Sequence, residues 1–275
     1  MTPDHYQLVL GAFDALVAHG RAISDRLAGR QIDQKYLSYS DAIYTKLLCH
    51  AISLRKLSPS LEQTATPELW DVASASAVAR ALIESFDALA YIGIHAVSAS
   101  ERQFRTTLWE LHDQQRRLKM LERIGSSDPR VADIRSQSRS LVATLSKSEL
   151  YVGAGKHLRK AVESGDAPPF HLSQRELNLA SAVDHDYYTA ATMFLSQYVH
   201  TYPFSLHQLM EFRAGEPDAL HVSSMPLQYS LAFLAKAIVG MVKIWPAGNV
   251  DPSPGVRAIL EKWLAIAEQG VRSDG

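Results

Sequence analysis

Residues 66–97 contain a run of polar side chains that an α-helix would gather on one face. Steps of four, four, three, four and four residues join Ser76, Arg80, Glu84, Asp87, Tyr91 and His95. At 3.6 residues per turn this spacing forms one narrow stripe. Aliphatic and aromatic residues flank the stripe on both sides, so most of the helix circumference is expected to be covered. The pattern predicts the central helix of an all-α protein.

The rest of the chain carries helix signals. A hydroxyl followed by proline marks helix starts at Thr2-Pro3 and Thr66-Pro67, and Ser173 to Glu176 forms a capping box. No stretch shows sustained alternation of apolar and polar residues between turns. We therefore predict an all-α fold, a single multi-helix bundle over residues 1–275, with a projecting helical hairpin over residues 102–162.

Composition and charge restrict the class of protein. With 275 residues, 47% of them hydrophobic, and a formal net charge of −1, the chain fits a globular protein without a global field that favours nucleic acid or membrane. Its single cysteine, Cys49, lies in an apolar run and is expected to be buried. No secretory signal is visible, so a cytoplasmic location is expected. The apolar stretch 227–245 places Lys236 and Lys243 on one face, which favours a core helix over a membrane span.

A second polar stripe follows later in the chain. Tyr188, Thr192, Ser196 and His200 recur every four residues and share one side of a helix. By spacing alone the stripe is a solvated face. The alternative is that its hydroxyl and imidazole groups supply the hydrogen bonds that a partly buried pair of Arg80 and Glu84 requires.

The two stripes carry a resemblance to a known family. The run Phe194-Leu-Ser196-Gln-Tyr198-Val-His200-Thr-Tyr202-Pro203-Phe-Ser-Leu206, with Arg80-x3-Glu84 and Ala90-Tyr91-Ile92 upstream, resembles an uncharacterised all-helical family, the domain of unknown function numbered 5677. The resemblance covers about residues 66–206. It implies no activity, but it does imply that Arg80, Glu84, Ser196 and His200 meet in one polar cluster. The first hypothesis is therefore a module that binds a ligand or a protein partner through Arg80, Glu84, Tyr91, Tyr188, Ser196 and His200.

Arg105 and His112 support a second hypothesis. Their Arg-x6-His spacing resembles that of HEPN-type helical ribonucleases. In that family a homodimer cleft brings the two side chains together, where the cation binds phosphate and the imidazole acts in acid or base chemistry. The resemblance implies a ribonuclease or RNA-binding protein of a bacterial defence or stress system, with Arg105 and His112 as the catalytic candidates.

Metal and cofactor chemistry is not predicted. The spacings His-x3-His, Glu-x-x-His and Cys-x2-Cys are missing from the sequence, as are a Gly-rich phosphate loop and a Gly-x-Ser-x-Gly elbow.

The two hypotheses differ in where they expect the candidate residues to lie. The first expects His200 and Arg80 to share hydrogen-bond partners while His112 is solvated, and the second expects Arg105 and His112 to line a cleft with basic surface nearby.

Overall fold

A computed structural model describes residues 1–61 and 70–271 of the chain. The described residues form twelve α-helices, one π-helical turn and one 3-10 turn, and they contain no strand. The prediction of an all-α fold is therefore confirmed. The α-helices are α1 (Pro3–Leu27), α2 (Lys35–Leu57), α3 (Val72–Leu89), α4 (Ala99–Arg123), α5 (Arg130–Leu145), α6 (Glu149–Val152), α7 (Lys156–Glu163), α8 (Gln174–Ala180), α9 (His185–Val199), α10 (Pro203–Glu211), α11 (Pro217–Ile244) and α12 (Pro254–Gln269).

The chain divides into two compact units. Unit 1 comprises Met1–Asp33, Leu37–Ile94 and Leu177–Gly275, and unit 2 comprises Gln34–Tyr36 and His95–Glu176. Most of unit 2 is thus one continuous segment between two parts of unit 1. Compactness does not by itself define a folding domain, so a single domain over residues 1–275 stays a prediction.

The core of unit 1 is built around α3 and α11. Apolar residues recur along both helices at three- and four-residue spacing, which gives each helix broad faces to bury. Helix α11 packs against α1, α3 and α12, and α3 also packs against α9. Phe86 of α3 and Phe233 of α11 meet inside this core with their ring centroids 5.7 Å apart.

Helix α11 contains the apolar stretch that the sequence assigned to the core. By length and composition it qualifies as a membrane span, since its most apolar 18 residues have a mean hydropathy of 1.4. However, 61% of that stretch is buried against other parts of the protein. Lys236 lies beside the core and donates a hydrogen bond to Glu268 of α12 (2.8 Å). The burial of this stretch and the pairing of Lys236 favour a core helix over a membrane span.

The predicted central helix is present as α3 and a π-helical turn at Ala90–Ile94. Its predicted start at Thr66 lies outside the described residues; within them, Asp71 caps α3 by accepting a hydrogen bond from the Ser74 N–H (2.8 Å). In the π turn the backbone of Gly93 approaches the Ser40 side chain so closely that a Cβ would overlap it. Glycine at this position lets the end of the central helix lie against α2.

Two local predictions near the N-terminus had different outcomes. The Thr2 side chain accepts a hydrogen bond from the His5 N–H (3.3 Å) and Pro3 is the first residue of α1, which confirms the predicted cap. The prediction that Cys49 is buried is wrong, because its side chain is exposed. Cys49 lies off the buried stripe of α2, which contains Tyr44, Leu47, Leu48, Ala51 and Leu54.

Unit 2 contains the predicted helical hairpin as α4 and α5. Glu122 near the end of α4 accepts a hydrogen bond from Arg135 in the first half of α5 (2.9 Å). At the other end, Leu145 of α5 belongs to the same buried cluster as Phe104 and Leu108 of α4. The two helices are therefore antiparallel, and the short helices α6 and α7 complete the unit.

Two glycines in helices provide a test of packing in unit 1. A Cβ at Gly240 of α11 would overlap the β-branched Ile94 side chain, whereas a Cβ at Gly11 of α1 would have nothing within 4 Å. We expect Gly240→Ala to lower the free energy of unfolding by about 1–3 kcal/mol through overpacking. Gly11→Ala is expected to raise it by about 0.5–1 kcal/mol through helix propensity. Urea denaturation of both variants checks this, and equal effects of the two would contradict the close approach at Gly240.

Candidate functional site

The two predicted stripes meet where α3 packs against α9. Arg80 donates from Nε to Glu84 (2.9 Å) and from Nη1 to the Ser196 hydroxyl. One turn further along, the Tyr188 hydroxyl donates to Asp87 Oδ2 (2.7 Å). The structure thus brings five of the stripe residues together in two groups that link these helices.

The spacing of the stripes produces these links. Asp184 caps α9 by accepting from the Tyr187 N–H (2.7 Å), which fixes the start of the helix. Along α9, Thr192 donates to the Tyr188 carbonyl (2.9 Å) and Ser196 donates to the Thr192 carbonyl (2.6 Å). The Ser196 oxygen therefore remains free to accept from Arg80.

Other residues of the two stripes lie elsewhere. Tyr91 is fully buried, and so is Ser76, whose hydroxyl has no hydrogen-bond partner among the described residues. His95 belongs to unit 2. His200 is exposed with its ring against Tyr202, and its side chain makes no hydrogen bond with a described residue. It lies outside the cluster because α9 ends at Val199 and His200 is the C-cap.

The polar side chains at the interface between α3 and α9 form hydrogen bonds with one another. Burial, and then the neighbouring Asp87 carboxylate, raise the pKa of Tyr188 well above its usual range, so this phenol stays protonated and keeps donating. The Arg80 and Glu84 side chains are 35% and 58% exposed, and an exposed pair of this kind contributes at most about 1 kcal/mol. The arrangement suits a hydrogen-bonded link between helices.

In unit 2, Arg105 is buried and already bound. Its side chain is only 4% exposed, and it donates from Nε (2.9 Å) and Nη2 (2.6 Å) to Glu101, one turn earlier on α4. Nη1 donates to Nδ1 of His95 (2.9 Å). Because a guanidinium has no acceptor, Nδ1 of His95 must carry the lone pair, and the proton of the neutral ring is on Nε2.

Burial and nearby cations lower the pKa of two imidazoles in unit 2. Burial, followed by the charges of Arg105 and Arg102, lowers the pKa of His95 from 6.5 to about 4. Burial and Arg105 also lower the pKa of His171, although Glu101 and Glu176 act in the opposite direction. Buried Arg105 and His95 thus lie in a polar cluster with the partly buried Glu101, Arg102 and His171.

The His112 side chain holds the backbone at Ala167. Its Nδ1 lies 2.7 Å from the Ala167 carbonyl oxygen, so this nitrogen is the donor. Gln115, one turn later, donates to the Val162 carbonyl (3.2 Å) and accepts from the Ala167 N–H (2.7 Å). Together these two side chains fix the segment that follows α7 against α4. His112 is therefore hydrogen-bonded, contrary to the solvated position that the first hypothesis expects.

That segment forms one side of a surface groove of about 640 Å³ in unit 2. The groove contains His157 and Lys160 of α7, Asp166, and the rings of Phe170 and His171. Phe170 stacks on Trp109 with ring centroids 5.7 Å apart and an interplanar angle of 24°. His171 contacts Phe104 edge to face (5.1 Å). The groove therefore combines the Lys160 ammonium and the Asp166 carboxylate with half-buried aromatic rings.

Charge is distributed unequally between the two units. Unit 2 contains 15 Lys and Arg residues against 10 Asp and Glu, a net charge of +5. Unit 1 contains 13 against 19, a net charge of −6. The small net charge of the whole chain hides this difference. Counting charge over successive segments of the sequence would have revealed it.

Comparison with models of protein families, with curated proteins and with solved structures gave no match for this chain. The two family resemblances therefore stay predictions. Within residues 1–61 and 70–271, no three His, Cys, Asp or Glu side chains come together in an arrangement that could hold a metal ion.

Two features of the site were missed in the sequence. The cluster around Arg105 includes His95, which precedes α4, and His171, which lies between α7 and α8. Neither histidine is on α4, so helical periodicity does not relate them to Arg105. The groove depends on Phe170 and His171, which lie in a non-helical segment without periodicity. Only the basic residues gave a signal in the sequence, because Lys156, Arg159 and Lys160 follow i, i+3, i+4 spacing in one short helix.

Proposed function

We propose that unit 2 binds single-stranded nucleic acid along the groove beside α7. The observation that carries the proposal is the net charge of +5 in this unit, next to a groove that contains aromatic rings. Proteins that bind single strands without sequence preference combine a basic groove for the phosphates with aromatic platforms for the bases.

The cations of α7 are free to contact phosphates. Lys156, Arg159 and Lys160 form no salt bridge with a described residue, and Lys160 lines the groove. By contrast, Arg117, Arg130 and Arg135 each pair with a carboxylate of the same unit. Neutralising a phosphate with an unpaired cation does not require an existing ion pair to be broken, so α7 is the favoured contact.

The aromatic side of the groove supports the same ligand. Phe170 is held by Trp109, and the segment that carries it is hydrogen-bonded to His112 and Gln115. A ring that is already fixed loses little conformational entropy when a base stacks on it. Base stacking on an aromatic side chain contributes about 1–3 kcal/mol per base.

Cleavage through Arg105 and His112 is not part of this proposal. All of the Arg105 donors that contact Glu101 and His95 would have to leave their partners before phosphate could bind, which would uncover a buried charge. The link between α3 and α9 is likewise assigned a structural role, since its polar atoms bind one another. We expect labelled RNA to remain intact with the wild-type protein; cleavage that His112→Ala abolishes would instead support the HEPN-type hypothesis.

Two triple variants, each of which removes three positive charges, test whether the cations of α7 bind nucleic acid. We expect Lys156→Gln/Arg159→Gln/Lys160→Gln to weaken binding of fluorescein-labelled oligouridylate or oligothymidylate of about 20 nucleotides by at least about 10-fold. Its plot of log affinity against log salt should be shallower by about 2, because three phosphate contacts are lost. The control Arg117→Gln/Arg130→Gln/Arg135→Gln should change affinity by less than about 3-fold.

Fluorescence anisotropy between about 50 and 200 mM salt measures both quantities. Equal losses in the two triple variants would show that only net charge matters and would contradict the groove. No binding by the wild type at the lower salt concentration would contradict the proposal altogether. A preference for RNA over DNA would indicate contacts to the 2′-hydroxyl.

A further inference from the structure

Unit 1 contains a small pocket that is independent of the groove in unit 2. Its volume is about 120 Å³, and aromatic and aliphatic side chains form most of its lining, among them Trp70, Tyr198, Phe212, Ala219 and Val222. Tyr198 and Val222 are buried and belong to one apolar cluster with Val72. The pocket therefore offers an apolar surface of limited size.

One polar group in the lining has no partner. Ser223 of α11 lines the pocket, the residue is 4% exposed, and its hydroxyl makes no hydrogen bond with a described residue. Two other buried serines of the same helix do use their hydroxyls. Ser224 donates to the His221 carbonyl (2.6 Å) and Ser230 to the Pro226 carbonyl (2.7 Å). Buried hydroxyls are rarely left unpaired, so each exception calls for an explanation.

Two other polar side chains of the lining, Tyr198 and Gln208, are neutral and bind each other. The Tyr198 hydroxyl donates to the side-chain oxygen of Gln208. Burial raises the pKa of Tyr198 to about 12, so its phenol is uncharged at neutral pH. The described lining contains no acidic or basic side chain. A ligand that complements this lining is itself uncharged, because burying an unpaired ion is costly.

We propose that this pocket binds a small neutral molecule with one aromatic ring and one hydrogen-bonding substituent, of the phenol class. The volume matches a single ring, since an apolar cavity of about 150 Å³ binds benzene. The surrounding rings of Trp70, Tyr198 and Phe212 can contact an aromatic ligand in offset or edge-to-face geometry. The Ser223 hydroxyl can either donate to or accept from its substituent.

Phenol and toluene provide the test, because they have nearly the same shape and only phenol can bond to Ser223. Isothermal titration calorimetry gives the ratio of their dissociation constants for the wild type, Ser223→Ala and the control Ser230→Ala. We expect Ser223→Ala to reduce the relative preference for phenol by about 2- to 10-fold, the range for one hydrogen bond. Ser230→Ala, which removes a paired hydroxyl of the same helix, should leave the ratio unchanged.

Folding of the variants is checked by thermal unfolding of the ligand-free proteins. Ser223→Ala removes an unsatisfied buried hydroxyl and should have a melting temperature at or above that of the wild type, whereas Ser230→Ala should melt lower. An unchanged ratio in Ser223→Ala, or heat of binding for neither compound in the wild type, would overturn the proposal. Nucleic-acid binding by unit 2 would be unaffected by either result.

Discussion

Replacing Arg105 with methionine is expected to lower the free energy of unfolding by about 3–5 kcal/mol. Methionine keeps much of the aliphatic volume but removes every donor. Glu101, which is 27% exposed, would lose both hydrogen bonds from the guanidinium. Nδ1 of His95 would lose the Arg105 donor. Removing one partner of a buried ion pair costs more than the pair contributes, since the other partner remains poorly solvated.

A control for Arg105 exists on the same helix. Arg117 pairs with Asp113 at the same i,i+4 spacing and the same Nε to carboxylate distance of 2.9 Å, but these side chains are 58% and 47% exposed. Arg117→Met is expected to cost at most about 0.5 kcal/mol. Urea denaturation followed by far-UV circular dichroism measures both variants. Similar losses for the two would mean that solvent reaches the Arg105 cluster.

Stability of the wild type is expected to fall by about 3 kcal/mol between pH 6.5 and pH 4 because of His95. The folded-state pKa of about 4 lies below the unfolded value of 6.5. Between these values the unfolded chain binds a proton that the folded protein does not, so acid favours unfolding. Above pH 6.5 neither state is protonated at this residue, and below pH 4 both are, so the contribution changes only inside this window.

His95→Gln isolates that contribution. Glutamine cannot be protonated, while its carbonyl oxygen can still accept from Arg105, so the decrease in stability from pH 6.5 to 4 should be smaller than in the wild type by about 3 kcal/mol. His157→Gln makes the same substitution at an exposed position of the same unit and is the matched control. The lowered pKa values of His19, His50 and His171 act in the same direction and remain in every variant. Parallel profiles for the wild type and His95→Gln would contradict a neutral His95 at pH 5.

Local signals predicted the helices and part of their pairing. Caps such as Thr2 and Asp184, and apolar residues with helical periodicity, depend only on neighbours within one or two turns, so they can be recognised in the sequence. The four-residue spacing also placed Arg80, Ser196 and Tyr188 on faces that do meet. A guanidinium, a carboxylate and hydroxyl groups on apolar helices need partners, and the opposite stripe provides them.

Burial of individual residues could not be predicted in the same way. Arg105 belongs to a helix whose composition indicates a wet basic face, yet residues 95 and 171 cover it. His200 follows the spacing of its stripe, but the helix ends one residue earlier and its side chain turns to solvent. Cys49 directly follows two buried leucines and is exposed. In each case the outcome depends on which distant segment packs nearby, and a periodic pattern carries no information about that.

The arrangement of the units along the chain has a consequence for biosynthesis. The Asp87 and Tyr188 contact spans 101 residues, and the core of unit 1 also requires α11 and α12 near the C-terminus. Residues 95–176 leave the ribosome earlier and already contain nearly all of unit 2. At about 5–20 residues per second, the 99 residues from Leu177 to Gly275 take roughly 5–20 s to translate. During that interval the apolar faces of α1 and α3 have no α11 to cover them, which makes the nascent chain a substrate for chaperones that hold exposed hydrophobic helices.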